Sequence, residues 1–184
     1  MLAGVLDPEV FADRYAEALL GRSLHEFPFP ESDWQQRRVL ITGAGTVGRG
    51  IATRLMAVPG PDGSTILDDT YNASPASCVA ALNLLEDLDG RKVAVLGDMY
   101  ELGPYEQEGH EIVGRRARDV ADVLIAVGPL GCTIGQEALR AGMASKAVHL
   151  VETNAQAIDL LQTLIQTGDI VLVKGSRGMQ MEEI

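Results

Sequence analysis

Apolar residues along this chain fall into two alternating patterns. Short runs rich in β-branched residues give way to longer stretches with apolar positions every three or four residues. Arg38-Val39-Leu40-Ile41 predicts a strand, Gly43 to Gly48 a turn, and Val47, Ile51 and Leu55 one face of a helix. Thr65 to Leu67 predicts the next strand. Ser74 and Pro75 then supply an N-cap and a first helical residue, and Val79, Leu82, Leu85 and Leu88 form the apolar stripe of a helix that Gly90 ends. Further strands are predicted at Lys92 to Leu96, Val123 to Val127, Ala147 to Val151 and Ile170 to Val173. The helices between them span Pro104 to about Asp119, Ile134 to Ala141, and a stretch from its cap at Asn154 to about Gln166. Strands separated by helical stretches of about ten residues imply βαβ units and a parallel sheet.

The strongest breaker cluster, Pro59-Gly60-Pro61-Asp62-Gly63, divides this pattern. The expected organisation is a Rossmann-like α/β domain over 63–184, its mostly parallel sheet covered by helices on both faces. An N-terminal strand-helix appendage over 1–62 precedes it.

In such a sheet, ligands sit outside the carboxyl ends of the strands. Most of the polar, non-helical chemistry follows strands. Gly43, Gly45 and Gly48 match a dinucleotide-binding fingerprint between a strand and a helix, with Asp68 about twenty residues on as a candidate ribose acid. The alternative is tight strand-helix packing. Asp68, Asp69, Tyr71 and Asn72 lie between a strand and a capped helix, suited to a nucleotide or to closing their own loop. Asp98 and Glu101 follow another strand and are candidates for a ligand amine. Lys174, Ser176 and Arg177 flank glycines after the last strand, an anion site in outline. His110, with Glu108 and Glu111 beside it, reads as a helix-surface residue. No Ser/His/Asp or Cys/His constellation and no metal-ligand spacing appears.

Composition narrows the class. The net charge is −11, and no basic stripe offers itself to nucleic acid. Aromatic residues make up only 4% of the chain, so the core is aliphatic. Cys78 and Cys132 are expected as two buried thiols in a reducing compartment. No apolar run approaches the roughly 20 residues of a membrane span, and no signal peptide is evident. A cytoplasmic protein is expected.

Four strings carry a family resemblance: D-D-T-Y-N-A-S-P (Asp68 to Pro75), A-V-L-G-D-M-Y-E-L-G (Ala94 to Gly103), H-E-I-V-G (His110 to Gly114) and V-L-V-K-G-S-R-G-M-Q-M-E (Val171 to Glu182). Through them, about 63–184 resembles the C-terminal domain of the Mur ligases, most closely the members that add D-alanyl-D-alanine in peptidoglycan precursor synthesis. The resemblance implies ATP-driven amide formation through an acyl phosphate, with Mg and ATP as cofactors. It implies that Asp69, Tyr71 and Asn72 face the nucleotide. It places Lys174, Ser176 and Arg177 on the incoming dipeptide or neighbouring phosphates, with Asp98 and Glu101 beside the dipeptide.

The sequence contains no G-x-x-x-x-G-K-[ST]. The P-loop ATPase domain of this family is therefore expected to be missing and the chain inactive alone, unless a partner protein supplies that domain. Residues 15–57, through Leu19-Leu20-Gly21-Arg22 and Arg38 to Gly45, resemble the start of the NAD-binding domain of nucleotide-sugar epimerases and dehydratases of polysaccharide biosynthesis. The alternatives to a substrate-binding ligase domain are thus an NAD(P)-binding module of oxidoreductase or epimerase type and a non-enzymatic fusion remnant.

Overall fold

A computed structural model describes residues 55–184. The strand expected at 38–41, the turn holding Gly43, Gly45 and Gly48, and all but Leu55 of the following helix lie outside the described residues.

Six strands form one sheet in the order β1-β2-β6-β3-β4-β5. They are β1 (Met56–Pro59), β2 (Thr65–Asp69), β3 (Lys92–Gly97), β4 (Val123–Val127), β5 (Val148–Val151) and β6 (Ile170–Lys174). All neighbours are parallel except β1, which runs antiparallel to β2. The Pro59–Gly63 cluster is the turn of that β1–β2 hairpin. Gly60 N–H donates to the Ser64 carbonyl there, and Met56 to Pro59 pair with Asp68 to Thr65.

Burial explains the sequence pattern. Every residue of β4 and β6 is buried, as strands covered on both faces require, whereas the edge strands β1 and β5 alternate. One face packs against α1 (Pro75–Asp87), α2 (Glu106–Val120) and α3 (Gly131–Arg140), through Leu67, Ala94, Leu96, Leu124 and Leu172. The other packs Val93, Val95, Ile125, Val171 and Val173 against α4 (Asn154–Leu164) and Met181. Helices therefore cover both faces of a mostly parallel sheet, as the alternating pattern implies.

Two helix starts differ from expectation. Thr153, not Asn154, caps α4, its hydroxyl accepting the Gln156 N–H. Helix α3 begins at Gly131 rather than Ile134, because a distant carboxylate, that of Asp98, accepts its first N–H at 2.6 Å.

After β5 the chain crosses to the α4 face and returns to insert β6 between β2 and β3. That insertion makes the carboxyl ends of β2, β6 and β3 the topological switch point, where open α/β sheets hold their ligands.

Candidate functional site

Register brings the first pair together. Asp69 at the end of β2 lies beside Lys174 at the end of β6. Lys174 Nζ donates to Asp69 Oδ2 at 2.6 Å and to the Asn72 carbonyl at 2.9 Å. Both side chains are fully buried. Burial pushes the Asp69 carboxyl above the ordinary aspartate range, and the Lys174 ammonium opposes that shift. Asp69 Oδ1 meets no hydrogen-bond partner among the described residues. Lys174 thus points inward, away from solvent, and ties down the backbone of the 70–74 loop. Asp68 Oδ1 accepts from Thr70 N–H at 3.2 Å and Thr70 Oγ1 at 2.7 Å. Ser74 and Ser77 close a reciprocal capping box at the start of α1. What this frame leaves outside is the Tyr71 ring and the exposed Asn72 side chain.

The loop after β3 is held as tightly. The Asp98 carboxylate is buried and accepts the Gly131 N–H, while its carbonyl accepts the Ser176 N–H at 2.9 Å. Tyr100 N–H donates to Ser176 Oγ at 2.8 Å. Met99 N–H donates to His110 Nε2 at 3.0 Å, and the other ring nitrogen lies 2.7 Å from the Glu106 carbonyl. His110 is thus fully buried on the core face of α2 and not on its surface as expected. Glu101 is exposed, with φ +64° at the tip of the loop.

Below this loop, the Cys78 thiol points at Met99 Sδ, 3.6 Å away. Burial pushes that thiol up to about 11, with Lys174 opposing and Asp69 adding to the shift. Cys132 is only half-buried, unlike the expectation for both cysteines.

The third piece is the turn Arg177–Met179 after β6. Arg177 is 66% exposed; its guanidinium carbon lies 5.9 Å from the centre of the Tyr71 ring, and Nη1 pairs with Glu182 Oε1 at 3.2 Å. Asn154 Nδ2 donates to the carbonyls of Met179 and Gln180, and Tyr100 Oη to Met179 Sδ. Met181 packs, fully buried, against Gly97 and Gly175, where a Cβ at either position would overlap its sulfur.

Two groups of residues emerge. Asp69, Asp98, Lys174 and Ser176 are buried; the last three hold backbone, and Asp69 holds Lys174. Tyr71, Asn72, Glu101 and Arg177 face outward, joined by Tyr100. The outer group offers one cation, one carboxylate, an amide and two aromatic faces within a single edge of the sheet. That chemistry suits a small zwitterion or an anion with a flat or apolar body. Among the described residues no group of three or more His, Cys, Asp or Glu side chains could hold a metal ion. Gly43, Gly45 and Gly48 lie outside the described residues, and Asp68, their candidate ribose acid, is engaged by Thr70.

Comparison with known proteins bears on what this edge serves. Residues 53–177 match the family described as Mur ligase, glutamate ligase domain. The chain belongs to the Mur ligase family. Its similarity to individual Mur ligases is specific in type: it is 39% identical over 137 residues to UDP-N-acetylmuramoyl-tripeptide–D-alanyl-D-alanine ligase of Bacillus subtilis, covering 71% of this chain and 29% of that protein. The Escherichia coli ligase of the same name is 32% identical over 139 residues, covering 74% of this chain and 29% of the relative. Among solved structures, MurF from Acinetobacter baumannii superposes with a TM-score of 0.63 at 34% identity, covering 73% of this chain and 30% of that one. The Thermotoga maritima MurF ligase, solved in complex with ADP, gives 0.59 at 31%, covering 72% and 29%. The chain therefore spans less than a third of the length of these Mur ligase relatives, and the matched part is a Mur ligase C-terminal domain of MurF type. Among the described residues no helix is long and apolar enough to cross a membrane.

Proposed function

We propose that this chain serves as the acceptor- and nucleotide-holding domain of an ATP-dependent amide ligase that joins D-alanyl-D-alanine to a peptidoglycan precursor. In this reading ATP phosphorylates the precursor carboxylate, releasing ADP. The dipeptide amine then attacks the acyl phosphate, and phosphate leaves as the amide forms. The sequence contains no P-loop motif, so the phosphorylation step belongs to a P-loop domain working with this one. What this domain contributes is binding and orientation.

The observation that carries the reading is the exposed Arg177 lying over Tyr71, on a frame of buried side chains at the switch point, in a domain so similar to D-alanyl-D-alanine-adding ligases. Arg177 takes the dipeptide carboxylate, which its guanidinium fork fits. Glu101 lies on the same edge for the dipeptide amine. Tyr71 and Asn72 face the nucleotide, in line with the ADP held by the Thermotoga maritima relative. Ser176, Asp98, Asp69 and Lys174 act from behind, by fixing the loops that carry these groups.

Amide ¹H–¹⁵N spectra of the full chain test the reading. D-alanyl-D-alanine is expected to shift Tyr100, Arg177 and Gly178, and Arg177→Ala to remove that response. ADP is expected to shift Tyr71 and Asn72. No response to either compound at about 10 mM, well above millimolar dissociation constants, overturns the reading.

A further inference from the structure

We propose that His110 is a positioning residue: it holds the 98–101 loop in the shape that keeps Ser176 and Arg177 competent for the acceptor dipeptide, and it does so independently of the Asp69–Lys174 pair that holds the Asn72 backbone. The inference rests on the functional reading above for its ligand, and on the hydrogen-bond geometry for its mechanism.

The imidazole is fully buried, and both of its nitrogens are engaged by backbone. The Glu106 carbonyl can only accept, so the nitrogen 2.7 Å from it, Nδ1, carries the hydrogen. Nε2 is then the acceptor for Met99 N–H at 3.0 Å. One tautomer is fixed, and it links the first turn of α2 to the second residue after β3. The next N–H along, that of Tyr100, donates to Ser176 Oγ at 2.8 Å. The Ser176 N–H returns to the Asp98 carbonyl at 2.9 Å. Three successive residues, 98 to 100, are thus pinned alternately to His110 and to Ser176, and Arg177 is the next residue in the chain. A buried N–H that loses its acceptor is costly, so Met99 would move to find another. Any such move carries Tyr100 off Ser176. The Asp69–Lys174–Asn72 contacts, which join the ends of β2 and β6 to the 70–74 loop, share no hydrogen bond with this path.

The test compares two variants of the full chain. His110→Gln keeps a distal acceptor for Met99 N–H. His110→Phe keeps a planar ring of similar bulk and removes the acceptor. In His110→Phe the Met99 and Tyr100 amides are expected to exchange with solvent about tenfold faster or more, and affinity for D-alanyl-D-alanine to fall by a similar factor. Exchange at Asn72 and the Asn72 shift caused by ADP stay as in the parent. His110→Gln is expected to restore exchange and dipeptide affinity to within about threefold.

Equal damage in both variants, or damage that spreads to Asn72 and its ADP response, reduces His110 to core packing and overturns the proposal. Unchanged Tyr100 exchange in His110→Phe overturns it as well. If the parent chain binds neither probe, the functional reading fails, and the exchange data alone then decide whether His110 positions the loop. Should His110→Phe fail to fold, the one-bond comparison moves to the parent: a scalar coupling across Met99 N–H···Nε2 supports the link, and ¹⁵N shifts placing the hydrogen on Nε2 refute it.

Discussion

Lys174→Met isolates the cost of leaving the Asp69 carboxylate alone in the core. Both partners are fully buried and bonded at 2.6 Å, and Lys174 also supplies the only hydrogen bond given to the Asn72 carbonyl among the described residues. Methionine fills the space of the lysine stem, so the loss is electrostatic. Removing one member of a buried pair costs about 3–5 kcal/mol. For a domain of about 130 residues that lowers the thermal midpoint by about 10–18 °C.

The pH dependence fixes the cause. Burial already holds the Asp69 carboxyl above its unfolded value, with Lys174 opposing. Without Lys174 the upward shift grows. An acid whose pKa is raised by folding binds its proton more tightly in the native state, so its contribution favours folding in acid and is lost as pH rises through the folded value. The deficit of Lys174→Met relative to the parent is therefore largest at pH 7 and shrinks towards pH 5. Urea unfolding at both pH values measures it, and Asp69→Leu combined with Lys174→Met is expected to regain most of the loss. A deficit below about 1 kcal/mol at pH 7, or one that is flat with pH, refutes the reasoning.

Gly128→Ala forces a side chain into a backbone with φ +89° and sets its Cβ 2.5 Å from Asp98 Oδ1, so urea unfolding should show a loss of about 2 kcal/mol or more. Ser74→Ala removes one half of the capping box and should cost about 1 kcal/mol, read as a lowered thermal midpoint. Iodoacetamide at pH 8 should label Cys132 well before Cys78, whose buried thiol is pushed up to about 11; mass spectrometry after denaturation should then find Cys78 free to react.

The parallel sheet was legible because its central strands are short, carry apolar runs such as Val93 to Leu96, Val123 to Val127 and Ile170 to Val173, and are separated by periodic helices. Strand β1 was not. Met56 to Pro59 is a four-residue edge strand running straight into the breaker cluster, and its Leu55 neighbour continues the helical spacing from Val47. The same prolines and glycines that look like a boundary serve equally well as a hairpin turn.

The candidate site residues were legible as types, through their position after strands, but not as orientations. Nothing in V-L-V-K tells that Asp69 stands in register beside Lys174, and register decides that the cation faces inward. The His110 misreading was avoidable. Val113, Ala117 and Val120 follow it at helical spacing and are buried, which places position 110 on the apolar face despite its acidic neighbours. The start of α3 at Gly131 was not legible, since the acceptor of its first N–H is Asp98, more than thirty residues away.

Strand β6 has a consequence for how the molecule is made. It comes last in chain order among the described strands, yet it stands between β2 and β3 and is the sole bridge between the β1–β2 hairpin and the β3–β4–β5 half of the sheet. Until residues 170–174 have emerged from the ribosome, the two halves share no strand pairing among the described residues, and the unpaired edges of β2 and β3 are templates for wrong partners. Completion of the described sheet therefore waits for residues 170–174. A ribosome stalled before Ile170 leaves a chain that cannot close its sheet, a natural substrate for chaperones and proteases.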